Sequence, residues 1–319
     1  MMVDIKADPS PPSSVGARWW RDLWVSLRPL QWTKNGVVLA PLIFGELLTD
    51  WHALARAGAA AVAFCAAGSA LYLVNDWCDA EADRQHPLKR YRPVAAGRLG
   101  AGVLIVSIVG LLAAAAFTSW LVERTLLVVL AGYAGLMLAY TLILKHFVLI
   151  DVFVIAGGFV LRAIAGAVAV GVPLSPWLYV CTVLLALFLG FAKRRHEMVL
   201  LDDRAMDHRR ILNDYSVPLL DGLLAVTAAA TLMAYSLYTF SAPNLPENHA
   251  MMLTIPFVLY GILRYLYLVY SQNQGGLPEQ VLLTDWPLLA SIVLWGLAVI
   301  CILYWPSLLQ IGSALLHSP

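Results

Sequence analysis

Polar residues interrupt this chain at widely spaced points, and between them it is apolar almost without a break. A run of about 20 apolar residues is what an α-helix needs to cross a hydrocarbon core about 30 Å thick. On that basis nine transmembrane helices are predicted, over 35–50, 53–75, 101–121, 125–144, 147–171, 175–193, 217–240, 250–271 and 286–313, with the first extended back toward Trp32. No Pro/Gly/Ser linker divides the runs, so residues 27–319 are read as one membrane-embedded, all-α domain. Residues 1–26 begin "MMVDIKADPSPPSSVGARWWRD", a Pro/Ser-rich polar stretch read as a disordered tail and not as a cleavable signal.

Composition agrees. Hydrophobic residues make up 61% of the 319 and charged residues 13%, against about 25% charged in a soluble domain. The formal net charge of +1 gives no reason to expect a nucleic-acid partner. Cys65, Cys78, Cys181 and Cys301 lie far apart and suggest neither a disulfide framework nor a paired-cysteine metal motif.

Where the charges fall changes the picture more than their sum. If the helices alternate, 17 of the 21 lysines and arginines lie on one side. They come from the amino-terminal segment, the loop after the second helix, Lys145, and the stretch after the sixth helix from Lys193 to Arg210. Arg56 and Arg124 lie opposite, and Arg162 and Arg264 fall within spans. The positive-inside rule makes the amino terminus and the basic loops cytoplasmic and the carboxyl terminus external, as in a multi-pass protein of the inner (plasma) membrane. Most acids follow the same side, so the polar chemistry is expected to face the cytoplasm.

The densest charge is "LVNDWCDAEADRQHPLKRYRPVAAG". If the second helix continues past its apolar stretch, Asp76, Asp79 and Asp83 stand at i, i+3 and i+7, along one face. Three such carboxylates repel one another unless a cation compensates. Mg²⁺ does so with one or two carboxylates, waters and substrate phosphate oxygens. The competing reading is a solvated, charged helix end. Asn75 at the membrane edge, and Lys89, Arg90 and Arg92 immediately afterwards, favour a metal-and-phosphate site, since guanidinium forks bind phosphate bidentately.

Other segments add candidates. Lys145 and Asp151 flank the turn "KHFVLID", with Tyr140 shortly before it. Lys145 also reads as a snorkelling topology residue. Arg162 lies about three helical turns beyond Asp151, on the same face. An arginine at that depth faces the bundle or a wet cavity, as a ligand or as a partner to a buried acid or carbonyl. In "FAKRRHEMVLLDDR", Lys193, Arg194 and Glu197 fall within one turn, as a plain ion pair or as a second phosphate or metal site. His86, His196 and His208 show no ligand spacing.

"NDWCDAEAD" resembles the N-D-x-x-D-x-x-x-D motif of the UbiA-type intramembrane prenyltransferase superfamily. Within it, "LRPLQWTKN", the Asp76–Asp83 stretch, "YTLILKH…DVFVIAGGFVLRAIAG", "AKRRHE" and "PEQVLLTDWPLL", in that order, look like the decaprenyl-phosphate phosphoribosyltransferase branch. The resemblance spans Leu27 to about Leu289. It implies a nine-helix bundle around a central cavity open to the cytoplasm and to lipid. It also implies Mg²⁺-dependent transfer of 5-phosphoribose from phosphoribosyl diphosphate (PRPP) to a polyprenyl phosphate for cell-envelope polysaccharide precursors. Asp76, Asp79 and Asp83 would then hold Mg²⁺. Asp151 and Glu197 would serve the ribose or the metal, and Asn75, Lys34, Lys89, Arg90, Arg92, Tyr140, Lys145, Arg162, Lys193 and Arg194 would serve the substrates. Ordinary prenyltransferases carry a second acidic motif where this chain reads "KRRHE", which disfavours a prenyl diphosphate donor with an aromatic acceptor. A transporter of phosphorylated solutes ranks lower, because polar groups gather at one face and no repeat is evident. Isoprenoid length and oligomeric state are not legible.

Overall fold

The structure, a computed structural model, describes residues 19–85, 89–202, 214–243, 245–272 and 274–316. Its α-helices are α1 (Trp19–Leu27), α2 (Ala40–Phe44), α3 (Trp51–Cys78), α4 (Ala80–Gln85), α5 (Ala101–Val122), α6 (Arg124–Leu142), α7 (Ile150–Val170), α8 (Pro176–Asp202), α9 (Val217–Ser241), α10 (Ile255–Ser271), α11 (Pro278–Thr284) and α12 (Trp286–Leu316). Short 3₁₀ turns cover Lys89–Tyr91, Leu144–His146 and Ala250–Thr254, and a longer 3₁₀ run covers Pro29–Leu39.

Eight helices among the described residues are long and apolar enough to cross a membrane. They begin at Trp51, Ala101, Arg124, Ile150, Pro176, Val217, Ala250 and Trp286. The chain is a multi-pass membrane protein of all-α class. Two helices form the interior: the apolar stretches of α3 and α7 are 56% and 61% buried, against 11–33% for the others. Lipid-facing helices can leave apolar side chains uncovered because their solvent is hydrocarbon.

The first expected span, 35–50, is not a regular helix. It is the 3₁₀ run Pro29–Leu39 followed by the five-residue α2. Pro29, Gly36 and Pro41 each weaken an α-helix here. Packing sets the tighter winding: a Cβ on Gly166 of α7 would stand 2.0 Å from the Val38 carbonyl oxygen, so the two backbones touch. The segment descends along α3, from the Trp32 indole donating to Ser69 Oγ to Leu42 packed with Ala53 and Ala57.

Two further boundaries move. The tail expected over 1–26 becomes helical at Trp19, because "WWRDLWVSL" puts Leu23 and Leu27 on one face, against Leu73, Val94, Leu99 and Leu104. Its aromatics Trp19, Trp20 and Trp24 stay exposed, as in interfacial belts. The sixth expected span, 175–193, continues to Asp202, because nothing after Lys193 breaks the helix. Arg194 and Glu197 form a salt bridge there at i, i+3.

Candidate active site

Asp76 lies in the last turn of α3 and is buried. The helix kinks at Asp79, yet the Asp79 amide still donates to the Asn75 carbonyl at 2.9 Å and the Asp83 amide to the Asp79 carbonyl at 2.8 Å. Helical spacing therefore persists into α4, and Asp76 and Asp83 face one neighbour. Arg92 Nη1 donates to Asp83 Oδ2 at 2.7 Å and to Asp76 Oδ1 at 3.2 Å. A second guanidinium, from Arg28, reaches the same Asp76 oxygen at 2.5 Å and lies over the Tyr72 ring, 4.8 Å from its centroid. Asp79 is drawn aside to Lys145 Nζ at 2.7 Å. Asn75 Oδ1 accepts from the Thr141 hydroxyl at 3.4 Å.

Arg28 holds φ +54°, in the left-handed region. Pro29 disfavours the α conformation for the residue before it, so α1 must end here. A non-glycine residue there costs about 1–3 kcal/mol, and such strain gathers at functional positions. Here it turns the side chain of Arg28 onto Asp76.

The second cluster joins α7 and α8. Arg194, 1% exposed, donates to Asp151 Oδ2 at 2.7 Å, to the Glu197 carboxylate and to the Tyr140 hydroxyl at 3.3 Å. Asp151 also accepts from the Tyr215 hydroxyl at 2.9 Å, and that hydroxyl accepts the Leu149 amide at 2.7 Å. Burial pushes the Tyr215 phenol up, and the Asp151 carboxylate adds to the shift, so it stays a donor. Removing one partner of such a buried pair costs about 3–5 kcal/mol.

The third cluster surrounds the 3₁₀ run. Lys34 Nζ bonds Glu279 at 2.6 Å. Burial raises the Glu279 carboxyl, but the Lys34 charge and hydrogen bond outweigh it and Lys193 contributes, so it ionises below the ordinary glutamate range. Arg162 donates to Asn35 Oδ1 at 2.7 Å, the Tyr133 hydroxyl at 2.8 Å and the Gly158 carbonyl at 2.9 Å, all neutral partners.

The first two clusters lie at the same end of the bundle, where α3 ends and α7 begins, and the third reaches deeper, with Arg162 near the middle of α7. Asp151 and Arg162 are both buried on α7, but the structure does not bring them together. One meets α8, and the other meets α6 and the 3₁₀ run. Arg90 stacks on Tyr91 instead of joining the aspartates. Lys89 opens the 3₁₀ turn, and Arg92 closes it with its amide on the Lys89 carbonyl at 2.9 Å. His196 Nδ1 accepts the Gly275 amide at 3.3 Å. His86 and His208 lie outside the described residues, as do Lys6, Arg18, Arg204, Arg209 and Arg210.

Sequence reasoning missed Arg28, Tyr72, Asn35 and Tyr215 as site residues. Arg28 and Asn35 stand within "LRPLQWTKN", where only Lys34 was singled out. Nothing in the spacing marks Tyr215, 64 positions from Asp151. Beside Asp76 a cavity of about 540 Å³ opens between α1 and the loop 91–98, lined in part by Arg21, Arg28, Arg92 and Arg98.

A divalent cation fits this donor set to a definite extent. Asp76 and Asp83 already converge on one cationic group, where Mg²⁺ needs only one or two protein carboxylates. Among the described residues no three acidic, histidine or thiol side chains gather on one point, and Asp79 is held apart by Lys145.

The UbiA prenyltransferase family model matches residues 38–283. The decaprenyl-phosphate phosphoribosyltransferase of Corynebacterium glutamicum is 35% identical over 286 residues, covering 88% of this chain and 86% of the relative. The enzyme of that name from Mycolicibacterium smegmatis is 36% identical, covering 85% of this chain and 88% of its own. Among solved structures, a UbiA homolog from Archaeoglobus fulgidus bound to GPP and Mg²⁺ superposes with a TM-score of 0.68 at 16% identity, over 88% of this chain and 99% of that one. The chain belongs to the UbiA prenyltransferase family.

Proposed function

We propose that this protein transfers the 5-phosphoribosyl group of PRPP to a polyprenyl phosphate, releasing diphosphate, with Mg²⁺, at the cytoplasmic face of the plasma membrane. The observation that carries the reading is the pairing of two buried carboxylates with two arginines at the mouth of an arginine-lined cavity. The names borne by relatives about 35% identical over most of the chain support it.

In the reaction an anionic oxygen of the lipid phosphate attacks C1 of the ribose. The C1–O bond to diphosphate breaks, and its electron pair leaves on the diphosphate oxygen. The attacking oxygen carries no proton at neutral pH, so no strong general base is required. Asp76 and Asp83 would hold Mg²⁺, with Asp79 joining as Lys145 turns to a phosphate. The ion supplies Lewis-acid neutralisation of the leaving group. Arg28 and Arg92, released from the carboxylates, would take phosphate oxygens, their forks matching phosphate geometry. Arg194 is locked between Asp151 and Glu197, so it orders the donor side and leaves Lys193 and Lys145 nearer the substrates. Lys34 and Arg162 add positive charge deeper in the bundle, where the acceptor phosphate would arrive from lipid. The acids and bases concentrate at the end that the positive-inside bias assigns to the cytoplasm, the side of a water-soluble donor.

The test offers purified protein radiolabelled PRPP with a polyprenyl phosphate, and separately a prenyl diphosphate with an aromatic acid, each with Mg²⁺ and with EDTA. Transfer from PRPP that needs the metal is expected. Prenylation of the aromatic acid in place of ribosylation would overturn the assignment.

A further inference from the structure

Four arginines line the cavity beside Asp76. Arg28 and Arg92 meet the carboxylates proposed to hold the metal. Arg21 and Arg98, contributed by α1 and by the loop before α5, do not. Arg98 is held through Nε by Asp22 Oδ1 at 3.0 Å and through Nη2 by the Tyr91 carbonyl at 3.1 Å. Arg21 is exposed and has no ion-pair partner among the described residues. The four guanidiniums face Asp22 and Asp76, with Asp83 sharing Arg92, so among the described residues one positive charge is left over, that of Arg21.

We infer that Arg21 and Arg98 form a pocket for the distal phosphate of a two-ended sugar phosphate, the 5-phosphate of the donor. This rests on the transfer reading above. PRPP carries a diphosphate at C1 and a monophosphate at C5, and the cavity offers the arginines at the proposed metal carboxylates for one and a second arginine pair for the other. At about 540 Å³ it is large enough for a small phosphorylated sugar. Its lining argues against a lipid tail: Val25 and Pro93 supply the aliphatic contacts, and the remaining lining residues are charged, hydroxylic or tyrosine. The arginine without a carboxylate is the one most open to a phosphate, and Arg98 is oriented beside it by two fixed bonds. Inorganic diphosphate would use Arg28 and Arg92 alone, and ribose 5-phosphate Arg21 and Arg98.

The experiment measures equilibrium binding of radiolabelled PRPP to the full-length protein in detergent with Mg²⁺ and without lipid acceptor, so that no turnover occurs. Arg21→Gln and the double variant Arg21→Gln/Arg98→Gln are compared with wild type, using ribose 5-phosphate, inorganic diphosphate and phosphatidate micelles as competitors. Each arginine lost is expected to weaken PRPP by about tenfold, the scale of a charge-assisted hydrogen bond. Competition by ribose 5-phosphate should weaken in parallel, while competition by diphosphate stays as in wild type. Unchanged PRPP affinity in the double variant overturns the inference. So does an equal loss for diphosphate, which would place both arginines at the leaving group. Loss of phosphatidate competition with PRPP binding intact would make this a lipid-headgroup site and also overturn it. Wild-type protein that fails to bind PRPP overturns this inference and the transfer reading together. Wild type that binds it, with variants that bind equally, overturns this inference alone.

Discussion

Asp76 accepts from Arg28 and Arg92 at one oxygen, so its carboxylate is already met by cations of the same chain. In the proposed reaction the arginines would act as placeholders that a divalent ion relieves, freeing them for phosphate. Asp76→Asn keeps the volume but removes the charge that both arginines meet and that the proposed metal would require. Turnover of PRPP is expected to fall about a hundredfold or more, because several kcal/mol of leaving-group stabilisation would go. Thermal stability in detergent should stay within reach of wild type. A rate within threefold of wild type would mean the metal binds elsewhere. Glu279 makes a different test. Its carboxyl is depressed on folding, so it contributes stability above the unfolded value of about 4.3 and loses it as pH falls through the lower folded value. The melting-temperature gap between wild type and Glu279→Gln is therefore expected to be full near about pH 6 and to close below about pH 4. A gap that does not move with pH would show that Lys34 does not hold this carboxyl as an anion. The aspartates could be picked out from sequence because their spacing matches a helical face. Arg28 could not, because an arginine at a membrane edge is also what topology demands, and its left-handed backbone has no compositional mark.

The 3₁₀ run Pro29–Leu39 carries Lys34 and Asn35 into the bundle, and Gly166 on α7 is what lets it lie there. Gly166→Ala would set a Cβ 2.0 Å from the Val38 carbonyl oxygen and 2.9 Å from its carbon, so backbone must move. A loss of about 1–3 kcal/mol is expected, read as a lower melting temperature, with activity falling as Lys34 and Asn35 shift. Gly102→Ala on α5, where a Cβ meets nothing within 4 Å, is the matched control and should be neutral or slightly stabilising. Equal melting curves for the two variants would rule out the close approach. Long helices were legible because hydrocarbon selects for unbroken apolarity, and observed ends such as Ala101–Val122 fall within a residue of expectation. The winding of residues 29–39 was not legible, since hydropathy records what a segment is made of and not how tightly it coils. The helix at Trp19–Leu27 was hidden by the polar residues upstream of it, although its leucines at i, i+4 were visible.

Charge asymmetry along the chain placed nearly all candidate chemistry at one end, and the folded bundle gathers two of its three clusters there, with Arg162 and Asn35 deeper. Which residues pair across helices was beyond the sequence. Lys145 with Asp79, Arg194 with Asp151 and Lys34 with Glu279 are separated by 66, 43 and 245 positions, and only helix packing brings them within bonding distance. The broken segment at residues 29–44 settles one more matter. Arg28 sits beside Asp76, whereas the Leu42 and Ile43 carbonyls accept from the Tyr304 hydroxyl in the second half of α12. By residue 44 the polypeptide has already travelled from one pole of the bundle to the other. The tryptophan-bearing first helix and the stretch of α12 around Tyr304 therefore lie toward opposite poles of the bundle.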